Sequence, residues 1–139
     1  MAKIKAELKI LNYGIYDKFD QQDKDLPTLI EFTDKIPARI GTEFGVTVEI
    51  RKARGDIMQW RIEHPPFCDS KGEPVAAFTG EFRVNGSEYK FFLGDSLFEP
   101  LADMLGHWHM TISCQGKELM SKKLKVVPLA EYLRAVHDI

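Results

Sequence analysis

Cysteine is scarce in this chain: among 139 residues only Cys68 and Cys114 carry a thiol. Neither belongs to a Cys-x-x-Cys pair, so there is no disulfide framework or thiolate cluster to read, and both are expected to be free. No framework is needed, because a domain of this length buries roughly two-thirds of the surface its unfolded chain exposes. Long apolar runs are also missing. The longest aliphatic or aromatic stretch is Val75-Ala76-Ala77-Phe78, against the ~18 residues a membrane helix requires, so no membrane partner is expected. The N-terminus interleaves Lys3, Lys5, Glu7 and Lys9 with apolar residues and lacks the continuous apolar centre of a secretory signal, which makes cytoplasm the expected compartment. A surplus of charge is lacking too: 19 Lys+Arg face 21 Asp+Glu, a formal net charge of −2, with no global bias toward nucleic acid or an anionic surface. The 7 Pro and 10 Gly are near average usage and exclude collagen-like repeats and Pro/Gly-rich disorder. These figures describe one ordinary domain spanning residues 1–139.

Catalytic and cofactor motifs are equally thin. There is no Gly-x-Ser-x-Gly elbow, no Walker pattern and no Gly-x-Gly-x-x-Gly, so no cofactor is expected and no nucleophile can be nominated. Pairing Cys68 with His64 would lack the third, orienting group such a site needs. Glu31, Asp34, Glu43 and Glu49 are scattered through loops and strand edges and suggest no acid/base pair. Arg54-Gly55-Asp56 and Asn85-Gly86-Ser87 match adhesion and glycosylation tripeptides, but both fit turns between strands better.

What the chain does have is a two-residue rhythm. Ile4, Ala6, Leu8 and Ile10 alternate with Lys3, Lys5, Glu7 and Lys9, as in a strand with one wet face. Helical spacing also fits Ile4, Leu8, Leu11 and Ile15, yet Tyr13 and Tyr16 favour the strand. The charged segment 17–25 reads as an exposed loop. Phe44, Val46, Val48 and Ile50 alternate cleanly, as do Met58, Trp60 and Ile62 beyond Gly55, which predicts a hairpin. The runs 75–84 and 87–93 flank Asn85-Gly86, the dipeptide suited to a type I′ turn, and predict a second hairpin. Ser96-Leu97-Phe98-Glu99 has capping-box spacing, although Pro100 limits it to a short helical turn near 97–105. Trp108, Met110, Ile112 and Cys114 share one face of a sixth strand, and Met120, Leu124 and Val126 face inward on a seventh that ends near Val127. Pro128 then opens an amphipathic helix bearing Leu129, Tyr132, Leu133 and Val136.

About seven short strands with frequent turns and no alternating helices imply an antiparallel all-β sandwich over 1–127, with a C-terminal helix over 128–139. A six- to eight-stranded barrel is the competing architecture. Trp60 falls on the third strand, where an immunoglobulin-like core often places its Trp. Two features depart from that pattern: no cysteine on the second strand partners Cys114, and no Tyr stands two residues before it.

The stretch Ile36-Pro37-Ala38-Arg39-Ile40-Gly41-Thr42-Glu43-Phe44-Gly45, then His64-Pro65-Pro66, Gly106-His107-Trp108 and a Gly116-Lys117 turn, resembles a bacterial family of domains of unknown function. The resemblance runs from about Leu8 to Val127. It implies an immunoglobulin-like sandwich and brings no activity and no catalytic residues with it.

Three constellations remain. His107 and His109 lie two apart on a strand and would point to one side, so that with His64, and Cys68 or Asp69 in the loop after it, they could ligate zinc or copper. The plainer alternative puts them on a solvated outer face. Lys117, Lys122, Lys123 and Lys125, with Lys3, Lys5 and Lys9, could line a positive stripe, but without interleaved aromatics they fit edge-strand protection better than nucleic-acid binding. The helical stripe must bury itself on the sheets or on a partner. The expected function is a non-catalytic binding or protein-interaction module, with the C-terminal helix as a dimer or partner contact. The alternative is a metal- or small-ligand-binding protein, conceivably an enzyme, using His64, His107 and His109.

Overall fold

Alternating side chains organise the chain into β1 (Glu7–Tyr16), β2 (Leu29–Phe32), β3 (Lys35–Pro37), β4 (Glu43–Arg51), β5 (Ile57–Glu63), β6 (Phe78–Arg83), β7 (Glu88–Ser96), β8 (Gly106–Cys114) and β9 (Lys117–Val127), followed by α1 (Leu129–His137). The structure, a computed structural model, describes residues 3–17 and 26–137, with backbone alone for the last two. Beyond Asp17, the charged loop expected over 17–25 lies outside the described residues.

The strands form two sheets, one ordered β2-β1-β4-β7 and the other β3-β9-β8-β5-β6. Among the described residues every strand pairing is antiparallel except that of β3 with β9. Phe44, Val46, Val48 and Ile50 of β4 face Met58, Ile62, Trp108, Met110, Ile112 and Leu124 of the other sheet, and all are buried. Each such side chain stabilises the fold by roughly 1.5–3 kcal/mol relative to exposure. At the centre Phe44 meets Trp108 edge-on, with ring centroids 5.1 Å apart. The Trp108 indole N–H donates to the Met104 carbonyl at 2.9 Å, so the ring is satisfied in the core and also anchors the 3₁₀ turn Leu101–Met104.

An all-β sandwich with a C-terminal helix is thus what forms, with four departures from the expectation. The nine strands among the described residues include two short ones, β2 and β3, of 4 and 3 residues, too short to stand out as strands in the sequence. Neither expected hairpin exists. β4 pairs with β1 and β7, β5 with β6 and β8, and β6 and β7 lie in different sheets. Both connections are therefore arches that carry the chain from one layer to the other. The capping-box serine ends β7, and the helical turn begins only after Pro100. Finally, Trp108 is fully buried while Trp60 is only partly so.

The helix docks on its own domain. The Tyr132 hydroxyl donates to the Glu31 carboxylate on β2, and burial together with that carboxylate pushes the phenol up to about 12. Leu133 on the same helix remains exposed, and the side chain of Val136 lies outside the described residues.

Candidate functional site

On β7, Tyr89, Phe91, Leu93 and Asp95 stand opposite Ile50, Val48, Val46 and Phe44. Those partners face the interior, so the period of two turns Asp95 toward the inside of the sandwich, where it is partly buried. A carboxylate in that register is anomalous. One Asp95 oxygen accepts the Ser96 N–H at 2.8 Å. Burial nevertheless pushes the carboxyl above its usual range, outweighing both that hydrogen bond and the favourable charge of nearby His64.

Asp95 lies at the side of the sandwich where β6 ends one sheet and β7 ends the other. Between them opens a cleft of about 280 Å³ lined by Trp60, Ile62, Phe78, Gly94, Asp95 and Phe98. The walls have local causes. Trp60 pairs directly with Gly80, where a Cβ would stand 2.5 Å from the indole. The missing side chain lets the ring lie across β6. Phe98, partly exposed, packs edge-on against Phe67 with centroids 5.8 Å apart.

His64 packs against Phe78, one wall of this cleft, and among the described residues joins no ligand set. Its ring stacks at a tilt against Phe67 and Phe78, at 4.5 and 4.9 Å, and lies 5.8 Å from Trp108. Its Nδ1 and Nε2 sit 2.8 Å from the Pro65 carbonyl and 2.9 Å from the Ala76 carbonyl. Both nitrogens are therefore engaged with the loop that follows β5.

His107 and His109 project from the opposite face of β8. His109 pairs across the sheet with Glu63 and Lys123, and its Nε2 is 2.5 Å from Ser121 Oγ. Cys68 is exposed in the loop, and Asp69 closes a turn there by accepting the Lys71 and Glu73 N–H groups. The structure does not bring His64, His107 and His109 together, because alternation sends His64 inward and the other two outward. Among the described residues no group of three or more His, Cys, Asp and Glu side chains could hold a metal.

A larger groove of about 490 Å³ runs over the outer face of the five-stranded sheet, past Gln59, Arg61, Thr79, Glu81, Thr111 and Ser113. Its Arg61 is already paired with Glu63 at 2.9 Å. It is an ordinary solvated sheet face, whereas the smaller cleft pairs apolar walls with a desolvated carboxylate.

The lysines follow the opposite edge. β3 covers β9 at Lys125–Val127, and among the described residues no strand pairs on that side with the stretch holding Lys117, Lys122 and Lys123. Lys122 Nζ lies 3.8 Å from the Tyr13 ring centroid, so β1 and β9 adjoin there across the two layers.

Residues 4–126 match the model of a family described as Domain of unknown function (DUF3859). The chain belongs to that family. Among solved structures it is similar to an immunoglobulin-like protein from Pseudomonas aeruginosa, at 17% identity and a TM-score of 0.70 over 91% of this chain and 100% of that one. That likeness makes the sandwich immunoglobulin-like. A weaker likeness joins it to the alkylpurine DNA glycosylase AlkC of Pseudomonas fluorescens, at 13% identity and a TM-score of 0.46, covering 89% of this chain and 31% of that one. Another joins it to a beta-glucosidase of Listeria innocua, at 12% identity and a TM-score of 0.43, covering 88% and 16%. Among curated proteins none matches. No helix among the described residues is long and apolar enough to cross a membrane.

Sequence reasoning passed over Asp95, although a signal was present. The series Tyr89-x-Phe91-x-Leu93-x-Asp95 keeps its period while changing from apolar to acidic, which marks a carboxylate headed for the interior.

Proposed function

We propose that the protein is a non-catalytic binding module whose recognition site is the cleft between β6 and β7. The observation that carries this is the inward-facing Asp95 among Trp60, Ile62, Phe78 and Phe98. Buried ionisable groups are unfavourable for folding and gather at functional sites. His64, whose charge acts on Asp95, has both nitrogens occupied by backbone carbonyls, which favours binding over proton transfer. Free thiols at Cys68 and Cys114 suit a reducing cytoplasm, and lysines along open strand edges suit protection of those edges better than a nucleic-acid surface. The test is a fragment mixture of small amines, alcohols and acids followed by backbone-amide NMR. Shifts should gather at Trp60, Phe78, Asp95 and Phe98. Shifts gathered instead around Gln59, Arg61 and Thr111 would move the site to the outer sheet face and defeat the proposal.

A second, compatible surface is the helix. Leu133 at 44% exposure, with Ile30 at 66% and Phe32 at 58% on edge strand β2, leaves large apolar groups for a protein partner or a second copy. Replacing Leu133 with Asp should convert a dimer to a monomer by light scattering. A monomeric parent chain would remove the dimer.

A further inference from the structure

Resting on the cleft as the binding site, we infer that its occupant presents an organic ammonium group, held between the Asp95 carboxylate and the ring faces of Trp60, Phe78 and Phe98. Three observations point there. The charge in the cleft is negative and lies at an inward register position, so the complementary ligand is a cation. The walls are aromatic, and aromatic faces attract diffuse, weakly hydrated cations such as alkylammonium groups far better than compact metal ions that keep their water. The space is about 280 Å³, below the usual range for drug-sized ligands of ~300–1,000 Å³, which suits a single head group or one side chain and not an extended molecule.

The donor set argues against the other occupants. One carboxylate without further oxygen ligands is a poor site for calcium or magnesium, which take about six or more oxygens including water. An anion would meet Asp95 directly and be repelled. A purely apolar guest would displace water from the Asp95 carboxylate and offer it no hydrogen bond in return. The molecule already contains the proposed chemistry at its other edge, where the Lys122 ammonium lies 3.8 Å from the centroid of Tyr13. At that edge the chain supplies both partners. At the β6–β7 edge the lining of the cleft supplies aromatic rings and one acid, and the ammonium that would complete the arrangement comes from outside.

An ammonium group can come from a small molecule or from a lysine side chain of another protein, and the test separates the two. Choline, its neutral tert-butyl isostere and a capped tripeptide with a central lysine are titrated into the full chain and followed by NMR shifts of the cleft residues. Choline or the lysine peptide should bind, with the isostere at least ~10-fold weaker than choline and a norleucine tripeptide similarly weaker than its lysine twin. Asp95→Asn should abolish that discrimination. Phe98→Ala, at a partly exposed wall whose loss leaves the core intact, should weaken the cation about 3- to 10-fold. Tighter binding of choline or of the lysine peptide supports the ammonium chemistry in either case and names its source. Equal binding of cation and isostere, unaffected by Asp95→Asn, overturns the inference and leaves the cleft standing as an apolar site. If no probe perturbs the cleft while fragments of other chemistry do, the cation falls alone. If nothing perturbs it, the binding site falls as well.

Discussion

At the scale of single residues the molecule turns on Asp95. Because burial raises its folded pKa, the folded state holds that proton more tightly than the unfolded chain, and ionising the group opposes folding. The penalty is absent at pH values below the ordinary carboxylate range, appears as pH rises through the interval up to the raised value, and is full above it. Asp95→Asn keeps an oxygen for the Ser96 N–H and sheds the charge. It should therefore stabilise the protein at neutral pH by about 1 kcal/mol or less, with the gain fading in acid. Urea melts across pH read this directly, and an Asn variant less stable than the parent at neutral pH would mean that Asp95 serves the fold itself. The thiols give a second residue-scale expectation. Cys68 is exposed while Cys114 is buried, and burial with the Asp56 charge pushes the Cys114 thiol up. A chromogenic thiol reagent should modify Cys68 rapidly in the native protein and Cys114 only on unfolding.

At the scale of elements, what decided legibility was how far each strand extends and where its turn leads. β4, β8 and β9 are long, and their buried sets, Phe44 to Ile50, Trp108 to Cys114 and Met120 to Val126, can be read directly from the sequence. β2 and β3, at 4 and 3 residues, are too short for a period to register and exist because neighbours recruit them. The arches were misread for another reason: two alternating strands joined by a Gly-containing turn look alike whether the strands pair edge to edge or stack face to face. The two arches differ in backbone conformation. Gly55 has φ +90°, whereas Gly86 is not among the positive-φ glycines, and the nearest atom to an added Cβ at Gly86 is 4.0 Å away. Gly86→Ala should therefore be neutral or stabilising by about 0.4–1 kcal/mol, whereas Gly55→Ala should destabilise by about 1 kcal/mol. A type I′ hairpin at Asn85-Gly86 would make the Gly86 change costly as well, so thermal melts of the two variants discriminate. The histidines follow the same logic. Sequence spacing placed His107 and His109 on one face correctly, but only the fold shows that His64 turns to the other.

At the scale of the whole molecule the two open sides of the sandwich differ in character. One, along β1 and β9, is bordered by lysines and closed in part by β3; the other, along β6 and β7, exposes aromatic rings around a carboxylate. The parallel pairing of β3 with β9 joins Lys35 to Lys125, and β1 meets β4 and β4 meets β7 over long sequence intervals. Such non-local pairing predicts slow folding, in milliseconds to seconds, for a chain of this size. Stopped-flow fluorescence of Trp108 entering the core should show it, and a microsecond phase accounting for the whole signal would contradict it.

The short strand β3 also bears on synthesis. A ribosome must deliver 90 further residues before Ile36 can dock beside Val126, so a nascent chain stalled short of that point displays an unzipped seam to chaperones and proteases.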